Sequence, residues 1–326
     1  MEKKIKLFVL VISVAISLLA GEVFLRFYFD RYQDYDIEMW RYAVELKQSV
    51  DDNRSHIHIP GSKETLMGVL VIINSKGLRD KEYSYEKPED VYRILVVGDS
   101  LTLGWGVNGE ETFSKILEDR LNDQNNINQK YKKIEVINSG IGNYNTRQEL
   151  AFLENEGLKY SPDEIILAYF INDAENIQKE INNFWTRKSI LYAYIKSVKN
   201  RISFVVDEEK RYNVYYSDLY KGENFTKYKR ILESLDNRLR ENNIRLTVVI
   251  LPEFHDFNNY EFDNIHDKIN DFFSEKGRLV IDPLYMFKGS DSRSFWVAKD
   301  DPHPNAMAHK LIADAILKEI KVFSKK

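Results

Sequence analysis

The sequence predicts an α/β fold, a five-stranded parallel sheet with helices on both faces, preceded by a membrane-spanning helix. Three observations carry this. From Val91 onward, short and continuously apolar β-type runs alternate with segments of helical periodicity. Runs apolar on both faces belong to strands covered on both sides, and strand–helix alternation is the pattern of a parallel sheet. Ser100, Asn143 and Asn172 all fall just past the ends of such runs, where open parallel sheets place their sites. Finally, Leu7–Phe29 is 23 residues long, follows a lysine-rich start and is long enough to cross a bilayer as a helix.

The N-terminus comes first. Lys3, Lys4 and Lys6 precede an apolar-to-small run from Leu7 to Gly21. Glu22 and Arg26 interrupt its distal end four residues apart, on one helix face, where they can pair and Arg26 can reach the headgroups. The basic flank before the span and Asp30, Asp34 and Asp36 after it put the N-terminus inside. No small-x-small cleavage site ends the run, because Leu18 lies two before Ala20 and Leu19 two before Gly21. The expectation is an uncleaved single-pass anchor over residues 1–29, with the rest of the chain outside the cytoplasm. Residues 30–90 read as a stalk with accessory strands: Leu66–Asn74 as a strand, Ser75-Lys76-Gly77 as its turn, Lys81–Asp90 as a charged loop.

The main domain is expected over residues 91–326. Its strands are Val91–Val97, Ile134–Asn138, Glu164–Phe170, Ile244–Leu251 and Leu279–Ile281. Its helices are Glu111–Leu121, Thr146–Leu158, Phe262–Lys276, which stops at Gly277, and Pro304–Val322, which starts on proline. Residues 174–243 read as an insertion with two aromatic-rich segments. One carries Phe184, Trp185, Ile190, Tyr192, Tyr194 and Ile195; the other Tyr212, Tyr215, Tyr216, Tyr220 and Phe225. Extra packed helices, a lid over the site, or a surface lying on a membrane all suit such a segment, the last because Arg187, Lys188, Lys196, Lys199 and Arg201 adjoin the aromatics.

Composition removes several function classes. The chain has 326 residues, 43% of them hydrophobic, enough for a large core. A net charge of −4 gives no support to a nucleic-acid partner. Zero cysteines exclude disulfides, thiolate metal sites and a cysteine nucleophile.

The chemistry lies in Gly98-Asp99-Ser100, directly after the first strand, and Asp300-Asp301-Pro302-His303 near the C-terminus. A serine is a weak nucleophile at its free pKa; it needs an adjacent base, and the base needs a third group to fix its tautomer. An aspartate three residues before a histidine can supply both from one loop, which favours Asp300 over Asp301. His309 reads as a surface or packing residue and His255 and His266 as solvated. His56 and His58 alternate in an extended segment without an adjoining carboxylate cluster, so no metal is expected.

Four blocks in order carry a resemblance to the SGNH hydrolases, also called GDSL esterases and lipases. They are Gly98-Asp99-Ser100-Leu101-Thr102-Leu103-Gly104, Asn138-Ser139-Gly140-Ile141-Gly142-Asn143, Tyr169-Phe170-Ile171-Asn172-Asp173, and Asp300-Asp301-Pro302-His303-Pro304-Asn305. The resemblance implies a flavodoxin-like three-layer sandwich. It implies Ser100 as nucleophile, His303 as base, Asp300 as its orienting partner, and no cofactor. It further implies an oxyanion hole from the Ser100 N–H, a backbone N–H at Gly142 or Asn143, and the Asn172 amide. Two positions depart from the pattern. Asn143 stands where the second block usually has glycine, and asparagine tolerates positive φ. Phe170 stands where the third block often has glycine, which would narrow the acyl pocket to short groups. The expected function is a serine esterase acting on acetyl or other short acyl groups of a cell-envelope glycan or related small ester. An O-acyltransferase with the same triad, or a catalytically silent glycan-binding protein on this fold, would share the blocks.

Overall fold

The computed structural model describes residues 2–123, 131–177, 187–206 and 212–320. The chain opens with α1 (Glu2–Arg31) and α2 (Tyr35–Glu45), then two antiparallel pairs, β1 (Lys47–Ser49) with β2 (His56–His58) and β3 (Lys63–Leu66) with β4 (Val69–Ile72). The α/β unit follows: β5 (Val91–Val97), α3 (Ser100–Leu103), α4 (Phe113–Asp123), β6 (Lys133–Asn138), α5 (Thr146–Asn155) and β7 (Glu164–Tyr169). After it come α6 (Ile190–Val206), α7 (Tyr212–Leu219), α8 (Gly222–Glu241), β8 (Arg245–Ile250), α9 (Asp263–Ser274), β9 (Leu279–Ile281), β10 (Trp296–Ala298), β11 (Asp301–Pro304) and α10 (Ala306–Glu319).

The five parallel strands run in the order β6-β5-β7-β8-β9, the flavodoxin-like arrangement with its switch point beside β5. The apolar run of β5 is explained by the two faces it feeds. Ile94 and Val96 pack with Phe113, Leu117 and Leu121 of α4 and Ile312 and Ile316 of α10. Leu95 and Val97 pack on the other face with Phe152 and Leu153 of α5, Leu232, Leu235 and Leu239 of α8, and Ile265 and Ile269 of α9. Each such side chain withdrawn from water stabilises the fold by about 1.5–3 kcal/mol, and the charge that β5 does bury, Arg93, is paired with Glu135 of β6 at 2.7 Å.

Three sequence expectations change here. First, Leu66–Asn74 is a hairpin: Met67 and Gly68 both take positive φ, 49° and 76°, which turns the chain between β3 and β4. Second, residues 30–90 do not stand off as a stalk. Tyr42, Leu46, Leu66, Val71 and Ile73 are buried against Leu103 and Trp105, so this layer covers the chain just beyond Ser100. Third, the 174–243 segment is only partly an insertion. Its last helix, α8, is the crossover that two adjacent parallel strands, β7 and β8, require, and it buries a leucine face on the sheet. Phe184 and Trp185 lie outside the described residues.

The helix α1 is long and apolar enough to cross a membrane or to serve as a signal, and residues 2–20 are exposed along its whole surface. Its last turns instead pack on the domain, where Phe29 is buried with Ile37, Ile190 and Ala193.

Candidate active site

The strand β5 ends at Val97, and the chain turns through Gly98 and Asp99 into the short helix α3. Asp99 caps that helix, accepting from the Leu101 N–H at 2.9 Å, which fixes Ser100 at the first helical position. There, helical N–H groups have no intrahelical partner. Ser100 Oγ lies 2.9 Å from His303 Nε2.

His303 sits on β11, delivered by the β10–β11 hairpin. Its Nδ1 faces Asp301 Oδ1 at 2.6 Å, and the same oxygen accepts from the His303 backbone N–H at 3.0 Å. Trp105 Nε1–H donates to Asp301 Oδ2 at 2.8 Å. With a carboxylate at Nδ1, that nitrogen carries the proton and Nε2 is left as acceptor for the serine hydroxyl. Burial would raise the Asp301 carboxyl, but His303 and the Trp105 N–H outweigh it and hold the group below its ordinary range. Asn305 pins the hairpin from behind: its side chain accepts from the Met307 and Ala308 N–H groups and donates to Ser294 O at 2.9 Å.

The third partner is therefore Asp301 and not Asp300. Asp300 occupies the exposed turn of the hairpin, beyond the last paired rung, Ala298 with Asp301. Asp301 is buried and the chain curls back so that residue 303 stands over its carboxylate. Counting along the chain misses this because the hairpin turns at Lys299 and Asp300, which leaves Asp300 in solvent, while Asp301 and His303 are two apart on β11 and so share a face.

The oxyanion side also departs from expectation at one place. The Gly142 N–H donates to Tyr42 Oη at 2.9 Å, which takes it out of the hole. Asn143, next along, has φ +69°, the left-handed backbone that glycine would adopt there. Its side-chain Oδ1 accepts from Lys47 Nζ at 2.8 Å. Asn172 donates one amide hydrogen to Asp99 Oδ2 at 2.8 Å, which leaves a second to aim elsewhere. Asp99 thus staples Ser100's turn to Asn172, a structural carboxylate whose charge burial opposes, raising its pKa. Phe170 packs against both apolar faces of the sheet at the end of β7.

The N-terminal layer supplies residues that no motif indicated. Tyr42 Oη accepts from Gly142 and donates to His58 Nε2 at 2.6 Å, and His58 Nδ1–H donates to Gly77 O at 2.9 Å. His56 Nε2–H donates to Gly142 O at 3.0 Å. Burial pushes these imidazoles down, His56 to about 2 and His58 to about 4, so both are neutral hydrogen-bonding props and not cations. Gly142 must be glycine, since a Cβ there would lie 2.6 Å from the Tyr42 ring. Over the histidine itself stands Tyr35, first residue of α2, with its ring centre 5.7 Å from that of His303. The signal that could have found these residues is the buried alternation His56-Ile57-His58 in a segment otherwise charged.

The remaining histidines are placed by packing. His309 is fully buried, accepts from the Phe113 N–H at 3.2 Å and is pushed down to about 3 by desolvation. His266 is buried between Tyr260 and Asp282, at 2.8 Å from each, contrary to a solvated reading. His255 is half-exposed; burial lowers its pKa, but the buried Glu253 paired to its Nδ1 raises it further.

A serine, an imidazole and a buried carboxylate in one row, with backbone and amide N–H groups nearby, can form and hydrolyse an acyl-enzyme. The sequence profile of the GDSL-like lipase/acylhydrolase family matches residues 94–316. No curated protein sequence matches the chain. Among solved structures, a member of the lipolytic G-D-S-L family from Veillonella parvula is similar at 15% identity, with 71% of this chain and 100% of that one covered and a TM-score of 0.45. A catalytic mutant of Axe2, an acetylxylan esterase from Geobacillus stearothermophilus, matches at 17% identity over 72% of this chain and 97% of that one, TM-score 0.46. The esterase EstA from Pseudoalteromonas sp. matches at 18% identity over 70% and 96%, TM-score 0.44. With its family profile matched from the strand that leads to Ser100 through the helix that follows His303, this chain belongs to the GDSL lipase/acylhydrolase family and is a carboxylic ester hydrolase.

Proposed function

We propose that this protein is a serine esterase that removes acetyl or other short acyl groups from a cell-envelope glycan or related small ester, held at the outer face of a membrane by α1. The observation that carries the mechanism is the row Ser100 Oγ, His303 Nε2, His303 Nδ1 and Asp301 Oδ1, with gaps of 2.9 and 2.6 Å. Ser100 attacks the ester carbonyl and its proton passes to Nε2. Asp301 stabilises the imidazolium that forms. The tetrahedral oxyanion takes hydrogen bonds from the N–H groups of Ser100 and Asn143 and from the free amide hydrogen of Asn172. His303 then returns the proton to the departing alcohol, and a water activated by the same Nε2 releases the acid. Phe170, bulky where glycine is common, and Tyr35, standing over His303, favour a small acyl group.

Two measurements test this. The protein should hydrolyse p-nitrophenyl acetate and propionate faster than octanoate, and acylated xylan or glucan oligosaccharides should yield free acid. A preference for long chains would overturn the short-acyl reading, and transfer to an added sugar that outpaces hydrolysis would make the enzyme an acyltransferase. Asn172→Ala should lower kcat about 10²–10³-fold with little change in KM, because its hydrogen bond strengthens only in the transition state. A change confined to KM would assign Asn172 to substrate binding.

A further inference from the structure

We infer that α6 is a bilayer-contact helix which, with the outer end of α1, seats the catalytic domain on the membrane so that the Ser100 site opens close to the headgroup layer. This rests on α1 being the anchor, and it goes further by stating how the domain is oriented and from where its ester arrives.

The first observation is a clamp between the two helices. Glu22 of α1 accepts from the first turn of α6: the Ser189 hydroxyl at 2.9 Å, the Ile190 N–H at 3.1 Å and the Leu191 N–H at 3.0 Å. Arg26 bonds Glu22 at 2.9 Å and reaches the Lys188 carbonyl at 2.8 Å. Glu22 thus satisfies open N–H groups that begin α6, and Arg26 ties Glu22 to the carbonyl just before them.

Length then fixes the level of this clamp. A helix crossing a hydrocarbon core of about 30 Å needs about 20 residues. Counted from Leu7, the first residue after the lysines, that ends at Arg26. Glu22 and Arg26 therefore stand where hydrocarbon gives way to headgroups, and the start of α6 stands with them. The face of α1 turned away from α6 continues apolar and aromatic past this level, with Val23, Phe24, Phe27 and Tyr28 all exposed. Such aromatics belong to membrane interfaces.

The face pattern of α6 points the same way. Ile190 and Ala193 are buried with Leu25, Phe29, Ile37 and Trp40. The opposite face carries Tyr192, Ile195, Lys199 and Ile202, spaced three, four and three apart as one helical stripe, with Ile195 58% and Ile202 59% exposed. Apolar residues with a flanking lysine suit a helix face that meets the headgroup layer. Arg201 ties the far end of α6 to Asp34 and Asp36 at 2.8 and 2.6 Å, so α6 is braced at both ends and its exposed stripe keeps a fixed direction.

The same link fixes the site's height. Four Cα steps separate Arg31, the end of α1, from Tyr35, at most about 15 Å. The Tyr35 ring lies 5.7 Å from His303. The reacting groups therefore stand a short distance above the bilayer surface, and esters carried at that surface are the substrates within reach.

The chain has no cysteine, so single-cysteine spin labels can be placed without a background. The full chain would be reconstituted in phosphatidylcholine vesicles containing a minority of phosphatidylglycerol and labelled at Val14→Cys, Ile195→Cys, Ile202→Cys or Tyr285→Cys. Collisions with oxygen, which concentrates in lipid, are compared with those of a water-soluble nickel chelate. The expected result is an oxygen-to-nickel ratio at 195 and 202 several-fold above that at 285 and approaching that at 14. Values at 195 and 202 equal to that at 285, with 14 lipid-exposed, would overturn the inference while the anchor stands. A water-exposed 14 would overturn both. Glu22→Gln, with hydrolysis of a soluble ester retained, should return the 195 label toward the value at 285; no change would remove the clamp from the argument.

Discussion

The two halves of the active site are built differently. On the side of the α/β core, Ser100, His303 and Asp301 are side chains in direct line, each fixed by its own loop: Asp99 caps the serine's helix and Asn305 pins the histidine's hairpin. On the proposed oxyanion side the donors would be two backbone N–H groups and the Asn172 amide, and the loop at residues 142 and 143 is held by Tyr42, Lys47, His56 and His58 of the N-terminal layer. The first half carries its chemistry in residue type. The second carries it in geometry, because a backbone N–H is the same in every residue and only its position matters. On the proposed mechanism the layer before residue 91 is thus part of the site.

The comparison breaks most sharply at the nucleophile. Ser100→Ala should cut kcat about 10⁴–10⁶-fold and abolish labelling by a serine-directed fluorophosphonate. Undiminished labelling would move the nucleophile elsewhere. Asp301→Asn should cost about 10⁴-fold, since an amide at Nδ1 favours the wrong tautomer. Asp300→Asn, on the exposed turn, should stay within about twofold of the parent enzyme. The reverse order for the two aspartates would refute the geometry of the hairpin.

The oxyanion half should respond more gently. Tyr42→Phe leaves the Gly142 N–H and His58 Nε2 without their shared partner. We expect kcat to fall roughly tenfold at nearly constant KM, by loss of aim and not of a donor, with fluorophosphonate labelling retained. Buried groups left unpaired should also cost about 1–3 kcal/mol of stability in a denaturant titration. Wild-type kcat in this variant would reduce Tyr42 to a packing residue.

The smallest effect concerns the buried floor of the site. Burial, reinforced by Asp173 and Asp99, holds the Glu149 carboxyl far above its ordinary range, and neither of its oxygens has a hydrogen-bond partner. The folded chain keeps a proton there that the unfolded chain has released above about pH 4.5. The stability this group contributes is present in acid and lost as pH rises, at no more than about 1.4 kcal/mol per pH unit. The melting temperature of Glu149→Gln should therefore gain on that of the parent from about pH 5 to about pH 8. Parallel curves would show that Glu149 is ionised in the fold.

Much of this was legible in the residues, and the parts that were not share a cause. Continuous apolar runs identify strands buried on both faces, so β5 and β9 match their sequence bounds and the other three parallel strands fall within a residue of theirs. Ser100 and His303 could be singled out because a nucleophile and a base must be particular residue types at strand ends and loops, and the fold brings them to 2.9 Å. Tertiary structure decided what no local pattern encodes. It chose Asp301 over Asp300, because the hairpin turn, not the count of residues, sets which carboxylate reaches the ring. It turned residues 30–90 from a stalk into a wall of the site, because Tyr42 and His58 bond loops about twenty to a hundred positions away in the chain. It gave the Gly142 N–H, an expected oxyanion donor, to Tyr42. Residue type and period are properties of a segment and can be read from it. Which of two equivalent groups is aimed at an atom is a property of the packed whole, because an ångström of placement, set by contacts distant in sequence, decides it.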